Sequence, residues 1–151
     1  MARRPRGNLS ARDYEVLASF RGSLRKFLRA TDENARKLGL TPQQHQALLA
    51  LKGGFPGQAC VTVGQLAQSL QLRNHSTVEL VARLVRADLV SRSASTTDRR
   101  EILVSISPRG HAVLRALSEV NLAELELAAP VFTDLVAMLT QAGFGAGSTG
   151  S

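Results

Sequence analysis

Two helix starts of the same chemical type, Thr41-Pro42-Gln43-Gln44 and Thr62-Val63-Gly64-Gln65, constrain this chain more than any other feature. In each, the threonine hydroxyl can accept the amide three residues on while the glutamine side chain reaches back to the threonine amide, so both open a helix. Pro42 suits the first helical position, and Leu40 before it can supply half of a hydrophobic staple. The first helix runs to about Lys52, where Gly53-Gly54-Phe55-Pro56-Gly57 forces a loop and leaves room for only a very short strand at Ala59-Cys60-Val61. The second buries Leu66, Ala67 and Leu70 and ends by Leu72. A third spans Asn74 to about Arg86, with Val78, Val81, Leu84 and Val85 on its apolar side. Two helices joined by so few residues form a helix-turn-helix pattern.

Beyond them, Leu89-Val90-Ser91-Arg92 and Glu101–Ile106 read as strands, the second alternating apolar and polar at Ile102, Val104 and Ile106. The intervening stretch from Ser93 to Arg100 is polar and basic, which makes a hairpin with a long projecting tip, a wing. Ser107-Pro108 starts a helix to about Ala128, Pro130 breaks or restarts it, and a last helix runs from Val131 to about Ala142. At the other end, Ser10 or Asp13 caps a long helix that Gly39 stops, with Leu17, Phe20, Leu24, Phe27, Leu28, Ala35 and Leu38 mostly three and four apart. The basic side chains between them read as its solvated face. The expected fold is mainly α with a small β-hairpin, a winged helix-turn-helix with N- and C-terminal dimerisation helices. Its parts are a disordered basic arm at 1–10, helical dimerisation regions at 11–39 and 108–142, a winged domain at 40–107 and a disordered glycine- and serine-rich tail at 143–151. The outer helices carry apolar stripes that so small a winged domain cannot cover, so a second copy of the chain is the natural burial surface.

A length of 151 residues, 44% of them hydrophobic, suits one such domain with helical extensions rather than two large cores. No apolar run is long enough for a membrane span or a signal peptide, and the chain reads as cytoplasmic with no membrane partner. Cys60 is the single cysteine, which excludes an intrachain disulfide and a multi-cysteine metal site. The net charge of +7 favours a polyanionic partner, because bound cations displace the counterions condensed on phosphates. That charge is carried early: about +6 over residues 1–40, +1 over 41–72, +3 over 73–109 and −3 over 110–151. No nucleophile–base pairing or metal-ligand spacing emerges around His45, His75, Ser76, His111 or Cys60, so neither enzyme nor cofactor nor metal site is expected.

One long stretch resembles a known family. Leu40-Thr41-Pro42-Gln43-Gln44, Thr62-Val63-Gly64-Gln65-Leu66-Ala67, His75-Ser76-Thr77 to Leu84, Asp88-Leu89-Val90, and above all Asp98-Arg99-Arg100-Glu101-Ile102-Leu103-Val104-Ser105-Ile106-Ser107-Pro108-Arg109-Gly110 are similar to the multiple-antibiotic-resistance regulator (MarR) family. The likeness covers about residues 10–140. It implies a homodimeric transcriptional regulator, a repressor in the first instance, whose recognition helices enter successive major grooves of a palindromic operator in double-stranded DNA while each wing reaches a minor groove. Motif position puts Arg73, Asn74, His75, Ser76, Thr77, Glu79 and Arg83 on bases or phosphates, joined by Arg92, Asp98, Arg99 and Arg100 of the wing. Arg99 is the expected wing-tip arginine, with Asp98 and Arg100 shaping the turn through an ion pair; the two arginines can exchange roles.

Three departures from the family pattern follow. Arg73 stands where a capping aspartate or serine is usual, which passes the capping role to Asn74 and frees Arg73 for a phosphate. Asp88 replaces a common glycine, as a residue that visits positive φ readily. Glu79 either accepts from a cytosine amino group or pairs with Arg83 four residues on. The family also implies a small aromatic or anionic effector held near Phe20, Leu24, Phe27, His45 and Leu49 and weakening the DNA complex, although a hydrogen-bonded core role suits His45 better. Cys60, between Ala59 and Val61, reads as a buried, inert thiol rather than a redox sensor. The alternative to the regulator is a winged-helix interaction module that binds protein or RNA without sequence-specific recognition of DNA.

Overall fold

The computed structural model describes residues 8–140. Most of the expected basic arm and all of the expected glycine-rich tail lie outside them. Local chemistry sets the starts of the first three helices. Helix α1 (Ala11–Lys37) starts on a reciprocal cap, in which Ser10 Oγ accepts the Asp13 amide at 3.3 Å and Asp13 Oδ2 accepts the Ser10 amide at 2.8 Å. It ends through Gly39 at φ 79°, which lets the Leu40 amide donate back to the Ala35 carbonyl at 3.0 Å. The threonine–glutamine boxes close at α2 (Pro42–Gly53) and again at α3 (Val63–Leu70), with all four bonds between 2.9 and 3.2 Å. Gln71 at φ 54° ends α3, and Asp88 at φ 57° follows α4 (Asn74–Arg86), the positive φ its replacement of glycine implies.

Strands β1 (Val61–Thr62), β2 (Val90–Ala94) and β3 (Ile102–Ile106) form an antiparallel sheet in the order β1-β3-β2, with Val61 opposite Val104 and Val90 opposite Ile106. The hairpin thus gains a short third strand. Cys60 lies in the bend before β1 and is exposed, which corrects the expectation of a buried thiol: Val61 is the residue turned into the core, and its neighbour along extended chain points the other way. Helix α5 (Pro108–Leu139) is also a correction, since it runs through Pro130 without interruption. Proline removes only the bond to the Glu126 carbonyl, and both residues are exposed, so water can take the place of the missing amide.

The described residues form two units, one of residues 31–121 and one that combines residues 8–30 with residues 122–140. In the winged unit, Leu48, Leu66, Leu84, Leu117, Val61, Val81 and Val104 are fully buried and join α2, α3, α4, the sheet and the start of α5 into one core. It takes in most of the apolar positions that the sequence outlines, but Val78 and Ile102 stay outside it at 45% and 41% exposure. In the helical unit Leu135 is buried and the rings of Phe20 and Phe132 meet edge to face at 6.5 Å. Much apolar surface stays open there: Tyr14, Leu17, Leu122 and Val136 are each about 60% exposed and Leu127 is 78% exposed.

Candidate nucleic-acid interface

Helix α4 separates its side chains by burial. Thr77, Leu80, Val81 and Leu84 face the core, while Asn74, His75, Val78, Glu79, Arg83 and Arg86 are exposed and Ser76 is half-buried. At about 100° per residue the exposed set forms one continuous face opposite the core. Two of its members were not evident from sequence. Arg86 belongs to the face by periodicity alone, four residues beyond Ala82. Val78, which the apolar pattern turns inward, is 45% exposed midway along the helix, because Thr77, Leu80, Val81 and Leu84 already fill the arc that packs inward.

Thr77 is the opposite case. It is fully buried, and its hydroxyl donates to the Arg73 carbonyl at 3.0 Å, beside the backbone bond from its own amide to the same oxygen. Its side chain therefore supports the start of α4 and offers nothing to a groove, a correction to its place among the expected contacts. Capping does not pass to Asn74 either. Arg73 is the cap residue, in an extended conformation with no side-chain cap bond, and Asn74 is the first helical residue. The amides at the start of α4 are left to bond with water or an anion.

The wing is built by its own polar groups. Ser95 is buried, its amide donates to the Glu101 carbonyl at 3.1 Å, and its hydroxyl oxygen accepts the amides of Thr97 and Asp98 at 3.3 Å. Asp98 Oδ1 accepts the Arg100 amide at 2.9 Å, and the Asp98 carbonyl accepts the Glu101 amide at 3.1 Å. The expected ion pair between Asp98 and Arg100 is thus replaced by a bond to the backbone, a shorter reach for a carboxylate two residues away. Closing the turn in this way leaves Arg99 and Arg100 exposed at the tip, and Ser91 to Ala94 of β2, Arg92 included, are exposed as well. Ser95-Thr96-Thr97-Asp98 carries a readable signal for this turn, a serine followed three residues later by an acid.

At its base the wing is tied by one residue to the turn that follows α4 and to the start of α5. Ser107 Oγ donates to the Asp88 carbonyl at 2.6 Å and accepts the Gly110 amide at 2.9 Å, while the Ser107 amide donates to the Leu89 carbonyl at 3.1 Å. The segment that follows α4, the end of β3 and the start of α5 are in this way tied together at one point. Glu79 and Arg83 are both exposed, and among the described residues neither has an ion-pair partner, in contrast to Arg115 and Glu119, which close at 3.2 Å with the same spacing. The structural reading of Glu79 is therefore corrected: nothing desolvates the two side chains enough to hold them together.

Of the residues expected near an effector, Phe20, Leu24 and Phe27 belong to the helical unit and His45 and Leu49 to the winged unit. His45 is buried, Asn121 Nδ2 lies 3.5 Å from its Nε2, and Asn34 Nδ2 donates to Asn121 Oδ1 at 3.2 Å. That chain aims an Asn121 N–H at Nε2, which must then accept. Burial lowers the His45 pKa below its ordinary value, against an opposing pull from the Asp32 carboxylate. The winged unit also holds a cavity of about 220 Å³ lined by Leu51, Lys52, Gln58, Val61, Ser105 and His111 among others, none of them in the expected set.

Set beside known proteins, this geometry is familiar. Residues 38–101 match the MarR family. They take in the helix-turn-helix and the wing through its arginines. No curated protein matches the sequence as a whole. Among solved structures, AbsC, a MarR family transcriptional regulator from Streptomyces coelicolor, superposes with a TM-score of 0.71 at 16% identity over 90% of this chain and 93% of that one. A mutant MarR from E. coli complexed with operator DNA gives 0.66 at 20% identity over 90% and 99%. A mutant MepR from S. aureus bound to an oligodeoxyribonucleotide gives 0.65 at 19% identity over 89% and 99%. The fold is that of MarR family transcriptional regulators, and no helix among the described residues is long and apolar enough to cross a membrane.

Proposed function

We propose that this protein is a cytoplasmic, homodimeric, sequence-specific DNA-binding transcriptional regulator of the MarR type, acting as a repressor. One observation carries the reading: the exposed face of α4 and the exposed arginine tip of the wing are positioned by one small core and by the shared anchor at Ser107. A helix of this width fits the major groove, and an arginine at a wing tip suits the negative potential of a narrow minor groove. On α4, Asn74, His75, Ser76, Glu79, Arg83 and Arg86 meet bases or phosphates, with Arg73 at the helix start. Arg92, Arg99 and Arg100 make the wing contacts, and Asp98 holds their turn. The operator-bound MarR and the oligonucleotide-bound MepR support this assignment through their common fold.

Dimerisation rests on the open apolar side chains of the helical unit, whose exposure in an isolated chain calls for a partner surface. Within the expected dimerisation regions at 11–39 and 108–142, the parts up to residue 30 and from residue 122 carry that surface, while residues 31–39 and the start of α5 pack with the DNA-binding domain at 40–107. Release of the DNA by a small aromatic or anionic effector belongs to the same reading. The reading includes no catalytic role.

A mobility-shift titration of the full chain against its own upstream region, with the mass of the free and bound species measured by light scattering, tests these statements together. The expected result is one palindromic site occupied by two chains, with log affinity falling against log salt by roughly 0.9 per phosphate neutralised. A monomer with no site preference overturns the regulator and favours a module that binds protein or RNA.

A further inference from the structure

The exposed face of α4 carries two side chains that a purely phosphate-binding surface has no use for, Val78 and Glu79. The geometry points to these adjacent residues as a base-reading pair, in which the Val78 methyls pack on the C5-methyl of a thymine and the Glu79 carboxylate accepts from the N4 amino group of a neighbouring cytosine. This rests on the DNA-binding reading of α4 and adds the chemistry of the bases it selects.

Position comes first. Val78 stands one helical turn beyond Asn74, and Glu79 one turn beyond His75, so the pair occupies the middle of the face, with Arg73 before it and Arg83 and Arg86 after it. Cations at both ends and uncharged or acidic groups at the centre fit a helix whose ends meet the two phosphate backbones and whose middle meets the groove floor. Val78 is β-branched and stiff about χ1, so little side-chain freedom is lost when its methyls are pressed against another surface. The floor of the major groove offers one apolar group, the thymine methyl.

Glu79 sharpens the choice. A carboxylate brought near phosphates is repelled by them, and Arg83 does not neutralise it, since among the described residues the two form no ion pair. The charge is accommodated on DNA only where a donor meets it. In the major groove those donors are the exocyclic amino groups of cytosine and adenine, and a carboxylate is the usual acceptor for cytosine. Glutamate also disfavours a site that puts guanine O6 or thymine O4 at that place, so it selects by repulsion as well as by attraction.

The test uses the full-length chain and a duplex that it enriches from a randomised pool. In that duplex each thymine is replaced in turn by deoxyuridine, which removes the C5-methyl and nothing else. The expected result is one position per half-site at which the loss weakens binding about fourfold, the value of one buried methyl group at ~0.8 kcal/mol. Val78→Ala is expected to lose that sensitivity, and Val78→Thr, with one methyl left, to keep part of it. Repeating the enrichment with Glu79→Gln is expected to change a cytosine beside that thymine to adenine, the base a carboxamide reads. A duplex bound tightly but indifferent to every uracil, or an unchanged preference with Glu79→Gln, overturns the pairing while leaving DNA binding intact. Failure to enrich any sequence overturns the DNA-binding reading, and the pairing with it.

Discussion

Replacing Gly110 by alanine brings local preference and tertiary packing into direct conflict. Gly110 lies in the first turn of α5, where alanine improves helix propensity by about 1 kcal/mol. A Cβ at that position falls 2.1 Å from the Leu89 carbonyl oxygen and 2.7 Å from Ile106 Cγ2, so a backbone atom as well as a side chain has to give way. To reach ordinary contact the Leu89 carbonyl must retreat by more than about 1 Å, and overpacking of this kind costs about 1–3 kcal/mol. The same carbonyl accepts the Ser107 amide at 3.1 Å, and loss of that bond adds about 1 kcal/mol. The balance is a destabilisation of about 2 kcal/mol, or roughly 4–8 °C in Tm for a chain of this size. Thermal unfolding followed by circular dichroism measures it, with Gly22→Ala as the internal control. Gly22 lies inside α1 with nothing within 4 Å of an added Cβ, so its replacement is expected to be neutral or stabilising by up to about 1 kcal/mol. A Gly110→Ala protein as stable as its parent, or one that gains stability as Gly22→Ala does, would refute the argument that backbone contact at the wing base outweighs propensity.

Arg99→Ala is expected to weaken operator binding by about 1–3 kcal/mol while leaving Tm unchanged, since the side chain is exposed and the turn is held by Ser95 and Asp98; unchanged affinity in the same mobility-shift titration removes Arg99 from the interface. Asp98→Ala, which removes the acceptor for the Arg100 amide, is expected to weaken binding as well, through a loosened tip; deuterium exchange at the Arg100 amide should then accelerate, and unaltered exchange excludes the role. The lowered His45 pKa makes stability depend on pH in a definite direction. Unfolded chains bind the proton first, so as pH falls through the ordinary histidine value near 6.5 the winged unit loses stability, and the contribution is fully present only above that value. Urea denaturation at a series of pH values for the parent and for His45→Gln checks this; the same acid slope in both proteins assigns the effect elsewhere.

Most of the winged unit could be read from local chemistry. Both threonine–glutamine boxes and the positive φ at Asp88 depend on neighbours within a few residues, and such interactions survive in any tertiary setting. What a residue contacts across the fold was not readable in the same way. Thr77 and Val78 are adjacent, of similar size and both β-branched, yet one is fully buried and the other is 45% exposed, because only the packing of α4 against α3 and the sheet fixes which arc of the helix turns inward. Cys60 is turned outward because its neighbour Val61 takes the inward position, Pro130 was carried through by the exposure of its helix face, and Asp98 found a backbone amide closer than a guanidinium. Propensity, caps and periodicity thus determined where the elements lie and that they build a winged helix, since those are short-range effects written into consecutive residues. Which side chains were left over for a partner was decided by the core, whose space is shared among distant segments and filled only once they have met.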